Sequence, residues 1–158
     1  MRKKLEPGIT YFDLIKSNNK EYLNKRKIVI SDCDGILTDG TSLYNKDKKL
    51  LKVYGAYDSE MIKFLKTQGW EFLFVSKDKL GFDITSSRIM DLGCKIEEAD
   101  ETERDALVNN YINLGYIVLF VGDSLTDIRS MSDATYAACT KNAPEIVYEY
   151  TDYTSKNN

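Results

Sequence analysis

The sequence predicts an α/β protein with a doubly wound parallel, Rossmann-like sheet, because short apolar runs alternate with longer amphipathic segments. Residues 28–30, 72–75 and 117–121 are continuously apolar, which is typical of strands buried on both faces. Residues 134–139 form a weaker fourth candidate strand. Strands alternating with helices of this length favour right-handed βαβ crossovers, which build a parallel sheet with helices on both faces.

Three amphipathic segments predict the crossover helices. The first two cover residues 58–68 and 84–92, and a glycine follows each of them directly. The first places Met61, Ile62 and Leu65 on one apolar stripe. In the third segment, an Asp-x-x-Glu pattern at residues 100–103 has the spacing of a capping box, and a buried face is expected to follow it.

The remaining segments complete the predicted organisation. Residues 41–54 have a polar centre between β-prone flanks and predict a β-hairpin. Residues 142–144, Asn-Ala-Pro, predict a helix cap with proline in the first turn. We interpret residues 1–26 as a lead-in with a short helix near 11–17, and residues 27–158 as a single domain without a large cap.

Composition narrows the function. The chain has 158 residues, of which 42% are hydrophobic and 30% charged, which fits one globular domain with a sizeable core. The net charge of -3 gives no basic footprint, so we expect a small-molecule partner rather than nucleic acid or a membrane. The sequence has no histidine, so any catalysis would depend on carboxylates, amines, hydroxyls or thiols.

The cysteines indicate a reducing compartment. Cys33, Cys94 and Cys139 are odd in number, far apart and without a CxxC pair, which favours free thiols in a cytoplasmic protein. Cys33 lies between two aspartates on a strand-like segment and is expected to point away from them and pack. The basic N-terminal start is interrupted at Pro7, which predicts neither a signal peptide nor a membrane span.

Polar side chains follow three of the predicted strands at the point where each strand ends. Asp32 and Asp34 follow the first strand, Ser76 and Lys77 follow the second, and Asp123 follows the third. Ligands of open parallel sheets bind in the crevice at the carboxyl ends of the strands. We therefore expect these side chains to converge on one site.

The residue types at this edge indicate phosphoryl chemistry. Aspartates supply the hard oxygen ligands that suit Mg²⁺ together with water and a substrate phosphate. One aspartate of the first loop can attack phosphorus, and the second can act as acid and then as base. Gly35 allows a sharp turn beside the phosphate. Ser76 offers a hydroxyl to the phosphate oxygens, and Lys77 or Arg104 offers a cation.

The motifs at the strand ends resemble those of the haloacid dehalogenase superfamily. DCDGILTDG at residues 32–40 is similar to the first motif, DxDGxxTD. FLFVS, ending at Ser76, resembles the second motif, and GDSLTD, with Asp123 and Asp127, resembles the fourth. Their order and spacing agree across residues 27–145. The resemblance implies that Asp32 is the nucleophile and Asp34 the acid and base, and that Asp127 has a supporting role near Asp123.

The short connections resemble the capless branch, especially the 3-deoxy-D-manno-octulosonate 8-phosphate phosphatases and their nonulosonate 9-phosphate relatives. In that group the hairpin helps to build a tetramer whose neighbouring subunits close the sites. The resemblance implies a Mg²⁺-dependent phosphomonoesterase acting on a phosphorylated acidic sugar of surface glycans, such as lipopolysaccharide. It also implies a metal site made by Asp32, the backbone carbonyl of Asp34 and Asp123, and a supporting role for Arg88. Arg104 stands where the third motif of the family has a lysine.

Two other classes of function stay open from the sequence. The substitution at Arg104 is compatible with a non-catalytic relative that assembles with a sugar-activating enzyme. Strand-end aspartates also occur in phosphoacceptor signalling domains, which predict a long-lived phosphoaspartate and no acid role for Asp34. The lysines of residues 46–52 are interpreted as a soluble hairpin tip, with contact to a neighbouring subunit or an anionic substrate as the alternative.

Overall fold

The fold is an α/β sandwich around one parallel sheet, seen in a computed structural model that describes residues 24–156. Six strands form this sheet in the order β5-β4-β1-β6-β7-β8, and all five neighbouring pairs are parallel. β2 and β3 form a separate antiparallel hairpin. The strands are β1 (Lys27–Ser31), β2 (Thr38–Tyr44), β3 (Lys49–Tyr54), β4 (Trp70–Ser76), β5 (Lys95–Glu98), β6 (Ile117–Val121), β7 (Tyr136–Cys139) and β8 (Tyr153–Thr154).

Helices cover both faces of the sheet, so the predicted doubly wound fold class is confirmed. The α-helices of the described residues are α1 (Asp58–Thr67), α2 (Phe82–Asp91), α3 (Glu101–Asn113), α4 (Ile128–Asp133) and α5 (Glu145–Tyr148). Short 3₁₀ turns at Lys79–Gly81 and Leu125–Asp127 precede α2 and α4. Within residues 24–156 the connections after β1 and β4 hold only the hairpin and single helices, without a large cap.

The core has two layers because the central strands bury side chains on both faces. On one face, Val108 of α3, Met131 of α4 and Val147 of α5 are fully buried against the sheet. On the other face, Ile62 of α1 and Ile89 of α2 pack in a cluster with residues of β4 and the loop after β1. No helix within the described residues is long and apolar enough to cross a membrane.

Several local predictions need correction. β5 was not predicted, because three of its four side chains are exposed and its sequence, KIEE, has no apolar run. Met61 is 55% exposed rather than part of the buried stripe of α1. α5 begins at Glu145 with Pro144 in the N-cap position and without a side-chain cap, so Asn142 does not cap it. The expected helix near residues 11–17 lies outside the described residues.

The capping box of α3 is confirmed. The Asp100 carboxylate accepts a hydrogen bond from the Glu103 backbone nitrogen at 2.9 Å, and the Glu103 carboxylate accepts one from the Asp100 backbone nitrogen at 2.8 Å. This reciprocal pair satisfies two backbone donors of the first turn. It fixes the start of α3, and with it the position of Arg104.

The hairpin reverses the usual orientation of polar and apolar side chains. Lys49 and Lys52 of β3 are buried, with 9% and 8% exposure, whereas Leu51 and Val53 are 58% and 60% exposed. The interpretation of residues 46–52 as a soluble tip is therefore wrong for these two lysines. Their ammonium groups point inward because carboxylates of other loops lie there to receive them.

Candidate active site

The carboxyl ends of β1, β4 and β6 open into a cavity of about 970 Å³. Six of the side chains that the sequence proposed line this cavity: Asp32, Asp34, Ser76, Lys77, Arg104 and Asp123. The structure thus brings together residues from three strand ends and from the first turn of α3. The hairpin and the loop after β6 form the remaining walls.

Asp32 lies at the base of the cavity and is only 8% exposed. Its Oδ1 accepts a hydrogen bond from the Cys33 backbone nitrogen at 2.7 Å, and its Oδ2 accepts one from Arg104 Nη1 at 3.3 Å. Burial raises the pKa of Asp32 to about 7 despite the opposing charge of Arg104, and the nearby Asp127 carboxylate adds to the rise. A further positive charge near Asp32 would therefore stabilise its ionised form.

Cys33 points away from Asp32 and into the core, as the strand alternation predicts. The residue is fully buried in the cluster that includes Ile62 and Ile89. Burial raises the pKa of the Cys33 thiol well above its usual range, and the Asp32 charge raises it further. A thiolate nucleophile is thereby disfavoured at this position.

Gly35 is required where the chain leaves the cavity. Its φ is +79°, and a Cβ at this position would lie 1.9 Å from Asp123 Oδ2. The backbone of one loop is therefore in direct contact with the carboxylate of another. Burial raises the pKa of Asp123 to about 6, and the Asp127 carboxylate contributes to the rise.

Arg104 joins two of the aspartates below the cavity. It is 1% exposed, and its Nη1 donates to Asp127 Oδ1 at 2.6 Å as well as to Asp32 Oδ2. Its Nε donates to the backbone carbonyl of Ala99 at 3.2 Å. Burial alone would lower the pKa of Arg104, but the Asp32 and Asp127 charges outweigh burial and raise it. The guanidinium is thus a fixed cation against the carboxylate of Asp32.

Asp127 is fully buried and holds the loop after β6 together. Its Oδ2 accepts hydrogen bonds from the Ser124 backbone nitrogen at 3.1 Å, from Ser124 Oγ at 2.8 Å and from the Asp123 backbone nitrogen at 3.3 Å. A Cβ on Gly122 would lie 2.7 Å from the Asp127 carboxyl carbon. Asp127 therefore orients the Asp123 loop rather than facing a ligand freely.

Ser76 and Lys77 stand at the end of β4 with different exposure. Ser76 is 1% exposed, and its Oγ accepts a hydrogen bond from the Asp78 backbone nitrogen at 3.2 Å. The Lys77 side chain is 48% exposed, and its Nζ pairs with Glu101 at 2.7 Å. Arg88 is not among the residues that line the cavity. It lies on α2 with its guanidinium 5.9 Å from the centre of the Tyr54 ring.

Residues that the sequence did not assign to the site surround Asp34. Lys52 Nζ lies 2.8 Å from Asp34 Oδ2 and 2.7 Å from Asp78 Oδ2, and Lys49 also pairs with Asp78. A weak signal for Asp78 was its place two residues beyond Ser76 at the same strand end. Sequence gave no such signal for the lysines, because charged hairpin residues are ordinarily exposed.

The donor set fits a divalent cation. Carboxylate oxygens of Asp32, Asp123 and Asp127 lie within 4.8 Å of one another. Both Asp127 oxygens already accept hydrogen bonds, which leaves Asp32 and Asp123 as the carboxylates available to a cation. Hard oxygen donors of this kind suit Mg²⁺ or a similar ion. Two of the three carboxylates, those of Asp32 and Asp123, have raised pKa values that a cation would offset.

Within residues 24–156, the strand order and the short connections give the fold of solved structures that include a protein assigned to the haloacid dehalogenase family of hydrolases. No model of a known family matches the sequence, and no curated protein sequence matches it. Solved structures with this fold cover most of the chain, and they include 3-deoxy-D-manno-octulosonate 8-phosphate phosphatases. The fold expected from the sequence motifs is thus confirmed.

Two of these structures resemble the chain to a similar degree in TM-score, sequence identity and coverage. One is the cobalt-bound deoxy-D-mannose-octulosonate 8-phosphate phosphatase of Haemophilus influenzae, with a TM-score of 0.72 and 23% identity over 85% of this chain and 80% of that chain. The other is the 3-deoxy-D-manno-octulosonate 8-phosphate phosphatase of Moraxella catarrhalis, in complex with a magnesium ion, a phosphate ion and KDO. It has a TM-score of 0.71 and 24% identity over 86% and 80% of the two chains.

Proposed function

We propose that the protein is a Mg²⁺-dependent phosphomonoesterase that forms an aspartyl-phosphate on Asp32. The observation that carries the proposal is the pairing of Asp32 and Asp34 in one cavity, with Arg104 against the first and Lys52 against the second. A phosphatase of this type needs a nucleophile and an acid on the same phosphate ester. Asp32 is buried beside a cation, whereas the Asp34 side chain is 34% exposed and can reach a leaving group or water.

The residues have distinct roles in this reaction. An oxygen of Asp32 attacks phosphorus while Asp34 gives a proton to the leaving alcohol. Asp34 then takes a proton from the water that attacks the phosphorus, and inorganic phosphate and free Asp32 result. A Mg²⁺ ion held by Asp32, Asp123 and the backbone carbonyl of Asp34 would offset the negative charge of the phosphate.

Other residues of the cavity are proposed to bind or support the phosphate. Ser76 would donate its hydroxyl to a phosphate oxygen, and Arg104 and Lys77 would supply positive charge. Lys77 would have to exchange part of its contact with Glu101 for the phosphate. Gly35 and Asp127 would act through the Asp123 loop that they contact, and Arg88 would support the hairpin through its contact with the Tyr54 ring.

We propose a phosphorylated acidic sugar as the substrate, of the 3-deoxy-octulosonate 8-phosphate or nonulosonate 9-phosphate type. The similarity to phosphatases named for 3-deoxy-D-manno-octulosonate 8-phosphate supports this choice. Formation of surface glycans such as lipopolysaccharide is the process in which such sugars would be used. Three free cysteines within the described residues are compatible with the cytoplasmic location that we propose.

We also propose that the chain forms a homo-oligomer, a tetramer by resemblance to the capless phosphatases. Four large side chains on the hairpin support this proposal because each is more than half exposed: Leu43, Tyr44, Leu51 and Val53. An apolar surface of this kind favours a covering partner. A second copy of the chain would also narrow the open side of the cavity.

The test of the function is release of inorganic phosphate from a panel of phosphorylated sugars and p-nitrophenyl phosphate. We expect turnover that requires Mg²⁺ and stops on chelation. Asp32→Asn removes the nucleophile and is expected to lower kcat by at least about 10³-fold. Asp91→Asn, at the exposed end of α2, is the matched control and is expected to keep the activity of the unaltered chain.

Two outcomes would contradict the proposal. Lack of turnover across the whole panel would favour an assembly domain that has kept the fold. A phosphoaspartate that persists without phosphate release, and that survives Asp34→Asn unchanged, would favour a phosphoacceptor domain. Rapid phosphate release would exclude the second of these alternatives.

A further inference from the structure

Lys52 is a buried cation beside Asp34, and the reaction proposed above assigns it no role of its own. Its side chain has 0% exposure, and its Nζ lies within hydrogen-bond distance of three acceptors. These are Asp34 Oδ2 at 2.8 Å, Asp78 Oδ2 at 2.7 Å and Thr85 Oγ1 at 2.7 Å. An ammonium group has three N–H donors, so each donor has a partner and the group is held in one place.

Two of these contacts fix Lys52 independently of Asp34. Asp78 is held by Lys49 and by the Gly81 backbone nitrogen, which donates to Asp78 Oδ1 at 3.2 Å. Thr85 is fully buried and donates its hydroxyl hydrogen to the Gly81 carbonyl at 3.1 Å. The position of the Lys52 ammonium is thus set by the start of α2 and the loop before it.

Asp34 depends more strongly on Lys52 than Lys52 depends on Asp34. Among residues 24–156, Lys52 alone donates a hydrogen bond to the Asp34 side chain, and it does so at Oδ2. The other oxygen, Oδ1, is left for a ligand in the cavity that Asp34 lines. A partial rotation of the carboxylate would move Oδ2 away from Lys52 and break this contact.

Lys52 also remains charged in this position. Burial alone would lower its pKa, but the hydrogen bonds and charges of Asp34 and Asp78 outweigh burial and raise it. A charged donor to a carboxylate makes a shorter and stronger hydrogen bond than a neutral one. The contact is therefore strong enough to orient Asp34.

We propose that Lys52 is a positioning residue that holds the Asp34 carboxyl group for proton transfer to the leaving-group oxygen of the phosphate ester. This inference rests on the proposed phosphatase function and assigns a further residue to it. Lys52 touches neither the phosphate nor Asp32 and acts through Asp34. The hairpin thereby supplies part of the acid and base machinery from outside the sheet.

The leaving group gives a readout that distinguishes positioning from general loss of structure. An alkoxide is a poor leaving group, so an alkyl or sugar phosphate needs a proton as its bond to phosphorus breaks. The p-nitrophenolate ion leaves without a proton. The value of kcat/KM covers the steps up to departure of the alcohol, so it excludes the later attack of water.

The experiment compares Lys52→Met with the unaltered chain on a sugar phosphate and on p-nitrophenyl phosphate. Methionine keeps an unbranched side chain that is one atom shorter, and it removes the charge and the donors. We expect kcat/KM to fall by about 10²-fold for the sugar phosphate, the lower range for loss of a positioned general acid, and by less than about tenfold for the aryl ester. Equal losses on the two esters would overturn the inference.

Lys49→Met is the matched control. Lys49 is also a buried lysine of β3 and also pairs with Asp78, but it has no contact with Asp34 among the described residues. We expect this variant to keep the ratio of the two kcat/KM values, whatever its effect on stability. A shift of the ratio as large as that of Lys52→Met would show that disturbance of the hairpin, rather than Asp34, is responsible.

A second variant keeps the test decisive. Lys52→Gln retains two donors without the charge, and it replaces Lys52→Met if circular dichroism shows that the methionine variant does not fold. Because the amide keeps two donors, a smaller change of the ratio in the same direction is expected. If the unaltered chain hydrolyses neither ester, the proposed function and this inference both fail. If it hydrolyses both with Mg²⁺ and neither Lys52 variant changes the ratio, only the inference about Lys52 fails.

Discussion

Arg104 is a buried arginine at the start of α3, and its contacts explain why an arginine suits this position. Its Nη1 donates to both Asp32 and Asp127, while its Nε donates to the Ala99 carbonyl. A lysine would carry all its donors on one nitrogen, whereas the guanidinium places one nitrogen against the Ala99 carbonyl and another against the two carboxylates. The arginine therefore ties the start of α3 to two strand-end loops.

The stability of Arg104 variants should reflect these contacts. Arg104→Met would leave two buried carboxylates without their cation and is expected to lower the free energy of unfolding by about 3–5 kcal/mol. Arg104→Lys keeps a charge and is expected to cost only about 1 kcal/mol for the lost Ala99 contact. Urea unfolding followed by circular dichroism measures both changes.

Arg129→Met is the control for removal of an arginine. The Arg129 side chain is 79% exposed and pairs with Asp105 at 3.3 Å, so its loss is expected to cost less than about 1 kcal/mol. If Arg104→Met is no more destabilising than Arg129→Met, the guanidinium does not compensate the buried charges of Asp32 and Asp127.

Sequence patterns predicted the site residues that lie at strand ends. They did not predict residues whose burial depends on charged groups far away in the sequence. Asp32, Asp34, Ser76 and Asp123 follow apolar runs, so the topology of a parallel sheet is enough to bring them together. The burial of Lys52 depends on carboxylates from other loops, and no local pattern carries that information.

At the scale of elements, the hairpin has two unlike faces. Its inner face carries the buried lysines, and its outer face carries exposed Leu51 and Val53 on the same strand. Inward-pointing lysines bind the hairpin to the loops of the cavity, and among residues 24–156 nothing covers the outer apolar face. The hairpin could therefore support the cavity with its inner face and form a subunit interface with its outer face.

The role of the outer face in oligomer formation can be tested without altering the lysines of the inner face. Leu51→Thr combined with Val53→Thr keeps β-prone residues while it removes apolar surface, and it is expected to reduce the mass of the oligomer. Size-exclusion chromatography with light scattering measures that mass. Lys48→Thr, at the exposed turn, is the control and should keep it. A monomeric unaltered chain, or a double variant of full mass, would contradict the proposed interface.

Elements with strong apolar patterns were predicted, and those at the edges were not. β1, β4 and β6 lie inside the sheet and each contains a continuous apolar run because both faces are covered. β5 and β8 are the two edge strands, and β8 has only two residues, so neither has the continuous pattern that identifies a buried strand.

At the scale of the whole molecule, the raised carboxylate pKa values couple stability to pH. Asp32 and Asp123 have pKa values of about 7 and about 6 in the fold, compared with 3.8 as the ordinary value. Between about pH 4 and pH 7 the folded state therefore holds protons that the unfolded chain has lost. The free energy of unfolding should fall as pH rises through this window.

Magnesium should reverse this trend if the aspartates hold it. We expect the melting temperature without metal to fall between pH 5 and pH 8, and the increase caused by Mg²⁺ to be several degrees larger at pH 8. Differential scanning fluorimetry measures both. Asp78 and Glu101 have lowered pKa values, so their contribution to the pH dependence of stability has the opposite sign.

Asp123→Asn is the control for the magnesium effect. It removes one ligand and one of the two titrating groups, so the increase in melting temperature with Mg²⁺ should be small at both pH values. An increase of the same size at pH 5 and pH 8 in the unaltered chain would contradict the assignment of these carboxylates as the cation site.

The charged groups around the cavity have a consequence for the order in which ligands arrive. The five carboxylates are those of Asp32, Asp34, Asp78, Asp123 and Asp127, and the three fixed cations are Lys49, Lys52 and Arg104. With all of them ionised, two negative charges are left over, which one divalent ion would neutralise. A phosphate dianion that arrives before that ion meets electrostatic repulsion, so the balance of fixed charge favours an ordered sequence with the metal first and the ester second.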